Sequence, residues 1–131
     1  MINFKKLKNI AIVGLSPNPD KPSYQVGLYL QNQGYNIFPI YPKTQKILGI
    51  QALQTIQDLK HLPIEWVVIF RKSEVCEMLV QEIIDLHSPS IQGVWLQLGI
   101  QNTKAKDLAL KNGLEFVQNR CIKIERENYA N

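Results

Sequence analysis

The residues best suited to bind an anion follow the first apolar run of the chain. The segment runs from Gly14-Leu15-Ser16 to Lys21-Pro22-Ser23-Tyr24 and contains three prolines. A glycine lets the backbone pass close to a phosphate, and a helix capped by Ser23 would offer unpaired N–H groups and a positive dipole end. The pattern predicts a phosphate-binding turn, although its glycines are spaced too widely for the nicotinamide fingerprint G-x-G-x-x-G. An ordinary proline-rich turn is the alternative.

A second candidate site lies at Tyr41-Pro42-Lys43, where another apolar run ends. Folds that bind NAD place an acidic residue at this point to accept hydrogen bonds from a ribose diol, whereas the next acid here is Asp58. Lys43 instead favours a phosphate on the adenosine ribose, which leaves NADP and coenzyme A as ligands. A plain surface role for Lys43 stays open.

Phe70-Arg71-Lys72 places two cations next to Ser73, the predicted first residue of a helix. Cations oppose the helix dipole at that end, so the arrangement favours a bound anion unless Glu74 and Glu77 pair with them. Gln97 stands near the end of another apolar run, where a side-chain amide could orient a polar group of a ligand.

Residues for catalysis are few. The two histidines, His61 and His87, are far apart and show no metal-ligand spacing. No Gly-x-Ser-x-Gly elbow and no phosphate-loop lysine motif are present. Cys121 follows Arg120 and could exchange with a ligand thiol, but a buried packing role is the alternative. The sequence therefore favours a binding module over an enzyme, with no catalytic or metal-binding residue assigned.

The elements that must position these residues alternate along the whole chain. Strands are predicted at 9–14, 35–41, 64–70, 91–98 and 114–118, with a shorter one within 47–53. Helices are predicted at 23–33, 73–87 and from Asn102 to Asn112, with a short one at 55–59 and a tail from Arg120. The alternation predicts a doubly wound α/β fold with a parallel sheet of about five strands. Such sheets bind ligands at the carboxyl ends of their strands.

Composition limits the class of protein. The 131 residues, 45% of them hydrophobic, predict one domain over 1–131 that folds without a disulfide or metal. No apolar run approaches the ~20 residues of a membrane span, and we expect a cytoplasmic protein that binds no membrane. The net charge of +4 is concentrated in residues 1–46, but without interleaved aromatic residues it does not predict nucleic-acid binding.

Taken together, five segments resemble the small single-domain CoA-binding proteins, which are similar to the nucleotide-binding domain of the succinyl-CoA synthetase α subunit. The resemblance covers about residues 8–127. It departs at Tyr41, where the family more often has Asn, and at Asn119, where it often has Asp. The segments are Gly14-Leu15-Ser16 with Lys21-Pro22-Ser23-Tyr24, the strand from Gly34-Tyr35 to Tyr41-Pro42, Val68 to Arg71, Trp95 to Gly99, and Asn119 to Glu125.

The resemblance implies a three-layer Rossmann-like domain that binds coenzyme A or an acyl-CoA. The Gly14–Ser16 turn and the helix start at Ser23 would hold the pyrophosphate, and Lys21 and Lys43 would lie near the phosphorylated adenosine. Phe70, Arg71 and Gln97 would line the path of the ligand. The alternative is an NADP-binding oxidoreductase or a redox sensor domain. No protein partner, acyl group or oligomeric state is predicted.

Overall fold

The computed structural model describes residues 2–129, and five of its strands form one parallel sheet. The strand order β2-β1-β5-β6-β7 confirms the predicted doubly wound α/β fold. A short antiparallel hairpin lies beside the sheet. The sheet strands are β1 Asn9–Val13, β2 Asn36–Ile40, β5 Trp66–Ile69, β6 Gly93–Leu96 and β7 Glu115–Val117, and the hairpin strands are β3 Lys46–Ile47 and β4 Ile50–Gln51.

Helices cover both faces of the sheet and complete the three layers. Helices α1 and α4 pack on one face, and the 3-10 turns, α2 and α3 belong to the apolar cluster on the other. The helices are α1 Pro22–Asn32, α2 Cys76–Asp85, α3 Thr103–Lys111 and α4 Ile122–Tyr129, with 3-10 turns at Ile56–Leu59 and Ser73–Val75.

The two apolar clusters follow from the alternation of side chains along each strand. Ile10 and Ile12 of β1 join the cluster under α1 and α4, while Ala11 and Val13 join the opposite cluster. All four are buried, so continuous apolar runs mark strands that are covered on both faces.

The predicted helix starts are partly wrong. Helix α1 begins at Pro22, with Lys21 rather than Ser23 at the N-cap position and no side-chain cap. Ser73 does not cap a helix either, since its hydroxyl accepts a hydrogen bond from the N–H of Gln101 at 3.1 Å. The prediction for α3 is confirmed, because the side chain of Asn102 accepts from the N–H of Ala105 at 2.8 Å.

Two further expectations need correction. The segment after Arg120 was expected to be a tail, but it forms α4, of which Ile122 alone is fully buried. Pro39 has no N–H to pair with a neighbouring strand, which by itself favours an exposed or irregular edge strand. β2 does lie at the edge of the sheet, yet Pro39 is buried because the segment through Leu53 covers it and donates a 2.8 Å hydrogen bond to its carbonyl.

Candidate functional site

The strand order opens a crevice at the carboxyl edge of the sheet. The strand order reverses at β1, which lies between β2 and β5. The chain continues from β1 to β2 on one side, and β5 lies on the other side. Backbone hydrogen bonds hold the three strand ends together: the Gly14 N–H donates to the Ile40 carbonyl at 3.0 Å, and the Phe70 N–H donates to the Val13 carbonyl at 2.9 Å. The predicted loops after β1 and β5 therefore meet at one place.

Gly14 is the point where these two loops touch. Its φ is +82°, and a Cβ at this position would lie 2.5 Å from the Phe70 carbonyl oxygen and 3.3 Å from Cδ of Arg71. Only glycine combines that φ with such close backbone contact. The structure thus brings the predicted residues Gly14, Phe70 and Arg71 into direct proximity.

The loop after β1 is fastened to α1 by its own hydrogen bonds. The Ser16 N–H donates to the Ser23 hydroxyl at 2.9 Å, and the Ser16 hydroxyl accepts from the Asn18 N–H at 3.0 Å. Ser23 is buried, so its hydroxyl holds the loop instead of capping the helix. Helix α1 begins without a side-chain cap and without an acidic residue in its first turn, which leaves its positive dipole end uncompensated.

Leu15 and Tyr24, both predicted site residues, contribute to packing. The Leu15 side chain is fully buried, and a Cβ on Gly27 would lie 3.0 Å from it, so a glycine in α1 allows the helix to approach the loop. Tyr24 is half-buried against the same apolar cluster. Leu15 can therefore present only its backbone to a ligand.

Arg71 and Lys72 are exposed cations at the edge of the crevice. Within the described part of the chain no carboxylate lies within ion-pairing distance of either, so Glu74 and Glu77 do not neutralise them. Arg71 also lines a cavity of about 200 Å³ with Val13 and Ile40, the last residues of β1 and β2. An anion at this edge would find an unpaired guanidinium beside the glycine turn.

Cys76 lies one turn further on and is fully buried. Burial raises the pKa of its thiol to about 11, and the nearby Arg71 lowers it by less. Its Sγ lies 3.4 Å from the Lys72 carbonyl oxygen. The thiol is therefore neutral near pH 7 and suits packing better than nucleophilic chemistry.

Gln97 is a buried polar side chain, only 4% exposed, directly after β6. Its Oε1 accepts a 2.8 Å hydrogen bond from the N–H of Ile122, the first residue of α4. This bond fixes the orientation of the amide. The Nε2 group makes no hydrogen bond to any residue in the range 2–129, so it can donate to a ligand, while the oxygen has a structural role that the sequence did not indicate.

The predicted phosphate-binding residues on the outer loops are less closely placed. Lys21, Pro42 and Lys43 are all exposed, and neither lysine forms an ion pair with a described residue. The Gln54 amide donates to the Pro42 carbonyl at 3.4 Å and so helps to hold the turn that carries Lys43. Among the described residues, no hydrogen bond joins the two lysine side chains to the Gly14 turn.

Asn119 has a positioning role that its sequence context did not reveal. Its Oδ1 accepts from the Gly99 N–H at 2.8 Å, and both residues have positive φ values, +56° and +86°. Asn119 thereby joins the loops after β6 and β7, and the Trp95 indole N–H supports the same region by donating to the Arg120 carbonyl at 2.8 Å. The signal available in the sequence was an asparagine at a strand end, since asparagine tolerates the left-handed region.

Two negative findings apply to the described residues. Between residues 2 and 129 no group of three or more His, Cys, Asp or Glu side chains is arranged to hold a metal ion. Over the same range, none of the helices has the length and apolar character required to cross a membrane.

A five-stranded parallel sheet with helices on both faces and a glycine turn at its carboxyl edge defines the class of Rossmann-like α/β domains. Within that class, residues 8–127 match the model of the CoA binding domain, and the chain belongs to this family. The predicted family is confirmed.

Relatives of this chain share its length and fold. YneT, an uncharacterized protein of Bacillus subtilis (strain 168), is 32% identical over 120 residues, which cover 92% of this chain and 86% of that protein. A hypothetical protein from Pyrococcus horikoshii OT3 is 31% identical with a TM-score of 0.87, covering 97% of this chain and 87% of the other. A Thermus thermophilus protein is 28% identical with a TM-score of 0.86, covering 95% and 91%.

Proposed function

We propose that this protein binds coenzyme A or an acyl-CoA in the crevice at the carboxyl edge of the sheet. The observation that carries the proposal is the close approach of the loops after β1 and β5, where the Arg71 side chain lies beside Gly14 and has no ion-pair partner among the described residues. The loop after β1 also leads into the uncapped start of α1. Family membership supports a CoA-related ligand. Both groups on the protein side favour an anion, and a pyrophosphate is the anion common to such ligands.

The residues present fit the successive parts of the ligand. The absence of a Cβ at Gly14 lets the Phe70 carbonyl pack against the turn, and Arg71 supplies a planar donor fork for a pyrophosphate. The Gln97 amide nitrogen can donate to a polar group of the pantetheine arm. Phe70, which is half-buried, supplies an apolar wall. Lys21 and Lys43 are the exposed cations that would meet the phosphate on the adenosine ribose.

Binding without catalysis is the simplest reading of the same residues. His61 and His87 are both exposed and lie away from the carboxyl edge, since they line other surface cavities. The neutral, buried Cys76 thiol is not a nucleophile. The ligand partner is thus a small molecule, with no nucleic acid or membrane expected, and the family does not favour an NADP-dependent oxidoreductase or a redox sensor.

Calorimetric titration with CoA, dephospho-CoA and NADP tests this function. We expect CoA to bind most tightly, and Arg71→Gln to weaken CoA and dephospho-CoA equally, by about tenfold, because both carry the pyrophosphate. Lys43→Gln and Lys21→Gln should each weaken CoA by roughly threefold and leave dephospho-CoA unchanged, since only CoA has the ribose phosphate.

Lys60→Gln is the matched control for these lysine variants, because it removes one exposed charge away from the crevice and should change neither affinity. Tighter binding of NADP than of CoA would contradict the proposed ligand. Equal losses for CoA and dephospho-CoA in the Lys43 and Lys21 variants would reject their assignment to the ribose phosphate but leave the pyrophosphate site intact.

A further inference from the structure

A second cavity, of about 400 Å³, lies at the amino edge of the sheet, opposite the crevice proposed for CoA. Its walls come from the N-terminal turn before β1, from residues 33–35 before β2 and from the end of α4. We infer that this cavity binds a small organic anion, namely a carboxylate or phosphate ester attached to an aromatic or apolar body. The inference does not depend on the proposed CoA site.

Arg126 of α4 is held at this cavity by a chain of hydrogen bonds. Its Nε donates to the Tyr35 hydroxyl at 2.8 Å, and that hydroxyl donates to the Phe4 carbonyl at 2.7 Å. Tyr35 thus joins α4 to the N-terminal turn and fixes the plane of the guanidinium. The two terminal nitrogens of Arg126 have no hydrogen-bond partner among residues 2–129, so the outer edge of its donor fork is available.

The charge around the cavity is positive and uncompensated within the described residues. Lys5 lines it together with Arg126, and no carboxylate of that part of the chain is among the lining residues or ion-paired with Arg126. Asn3 fixes the turn that carries Lys5, because its Oδ1 accepts from the Lys5 N–H at 3.1 Å. Lys5, near the N-terminus, is therefore placed at a formed cavity.

Aromatic side chains form the other walls. The Arg126 guanidinium lies 5.8 Å from the ring centroids of both Tyr35 and Tyr129, and the Phe4 and Tyr129 rings are 5.6 Å apart. Cation–π contacts attract the guanidinium to the ring faces without supplying a counter-ion. A ligand that carries one oxyanion and one apolar or planar portion would satisfy both the free donor fork and these rings.

Titration of the ¹⁵N-labelled full chain with benzoate, phenyl phosphate, inorganic phosphate and benzamide tests the site by NMR. We expect saturable shifts for the amides of Lys5 and Gly34 and for the Arg126 Nε–H with benzoate or phenyl phosphate. Benzoate and phenyl phosphate each represent one source of the oxyanion. The tighter of the two should bind about tenfold more tightly than either inorganic phosphate, which lacks the apolar body, or benzamide, which lacks the charge.

Arg126→Gln should weaken the aromatic anion by about tenfold, whereas the matched control Lys123→Gln should change its affinity by less than about twofold. Lys123 lies on the same helix, with its Nζ 5.6 Å from the Tyr29 ring and outside the cavity lining. Should the glutamine variant fail to fold, Arg126→Lys decides, because it keeps the charge and loses the fork, so the same weakening is expected.

Three results would overturn this site. They are the absence of saturable shifts with both aromatic anions, equal binding of benzamide, and equal effects of the Arg126 and Lys123 variants. CoA affinity, measured on the same samples, distinguishes failure of one proposal from failure of the other. If wild type does not bind CoA, the proposed function is rejected and the result at the amino edge is unaffected.

Discussion

The two edges of the sheet are built by different means. At the carboxyl edge, backbone contacts hold the turn beside Arg71: Gly14 packs on the Phe70 carbonyl, and the Ser16 N–H is fixed by the Ser23 hydroxyl. At the amino edge, side chains hold the cavity together, because Tyr35 joins Arg126 to the N-terminal turn. The shape of the carboxyl edge therefore depends on a few glycine and serine positions, whereas the amino-edge cavity depends on the rings and charges that line it.

The two edges should therefore differ in how well they tolerate substitution. A single added methyl group at Gly14 would collide with main-chain atoms that cannot move without shifting β5. The amino edge offers more space, since a Cβ on Gly34 would meet no atom within 4 Å. We therefore expect the carboxyl edge to tolerate fewer substitutions, and the amino edge to change its affinity before it changes its stability.

The largest expected effect follows from this contrast. Gly14→Ala should lower the free energy of unfolding by about 3 kcal/mol, because the new Cβ adds a clash to an unfavourable positive φ. Gly34→Ala is the matched control at the other edge. It has a φ of +98° and open space, and it should cost about 1 kcal/mol. Urea unfolding measures both, and equal losses would show that φ alone accounts for the effect.

Gln97 connects the two edges, which makes its substitution the next largest effect. Gln97→Leu leaves the buried N–H of Ile122 without an acceptor and should cost about 2 kcal/mol. Because Ile122 begins the helix that carries Arg126, backbone amides of α4 should exchange with solvent at least tenfold faster, as measured by hydrogen exchange.

Gln92→Leu is the control for this variant, because Gln92 is exposed at the opposite end of β6. Its effect on exchange in α4 should be small. Unchanged exchange in the Gln97 variant would mean that α4 does not depend on this hydrogen bond, and the two edges would then be independent.

The sheet was predictable because buried parallel strands are continuous apolar runs, as Ile10–Val13 and Trp66–Ile69 are. Adjacent sites such as Gly14 and Arg71 were also predictable, since the carboxyl ends of neighbouring strands share one edge. Their contact itself depends on the strand order, which no local pattern specifies.

The elements that were not predicted correctly from the sequence have weaker local signals. Helix α4 has one buried residue, Ile122, and mixed charges, so its periodicity is faint and its position depends on Gln97 and Tyr35 from distant segments. Ser23 resembled a helix cap because serine is common there, but Pro22 begins the helix one residue earlier. Hydrogen bonds from distant segments position α4, whereas the Ser23 hydroxyl is occupied by the Ser16 N–H of the preceding loop.

The smallest expected effect concerns acid, which should loosen the rim of the carboxyl edge. Its rim includes Thr55 and Gln57, held by a 3-10 turn in which the Asp58 carboxylate accepts from the Thr55 N–H at 3.1 Å and the Gln54 N–H at 3.2 Å. The backbone and hydroxyl of Thr55, followed by the Gln54 backbone, lower the pKa of Asp58 below its ordinary value, outweighing its slight desolvation. A carboxyl group with a lowered folded pKa stabilises the fold above its unfolded pKa, and this stabilisation is lost as pH falls through the folded value.

Asp58→Asn should therefore be less stable than wild type at about pH 7, and the difference should vanish at an acid pH below the folded pKa of Asp58, where wild type is protonated as well. The effect should be small because Asp58 is exposed. Asp20→Asn serves as the control, since the Asp20 side chain makes no hydrogen bond within the described chain. Urea unfolding at both pH values measures the difference, and a gap between wild type and Asp58→Asn that stays constant would assign the effect to packing of the turn.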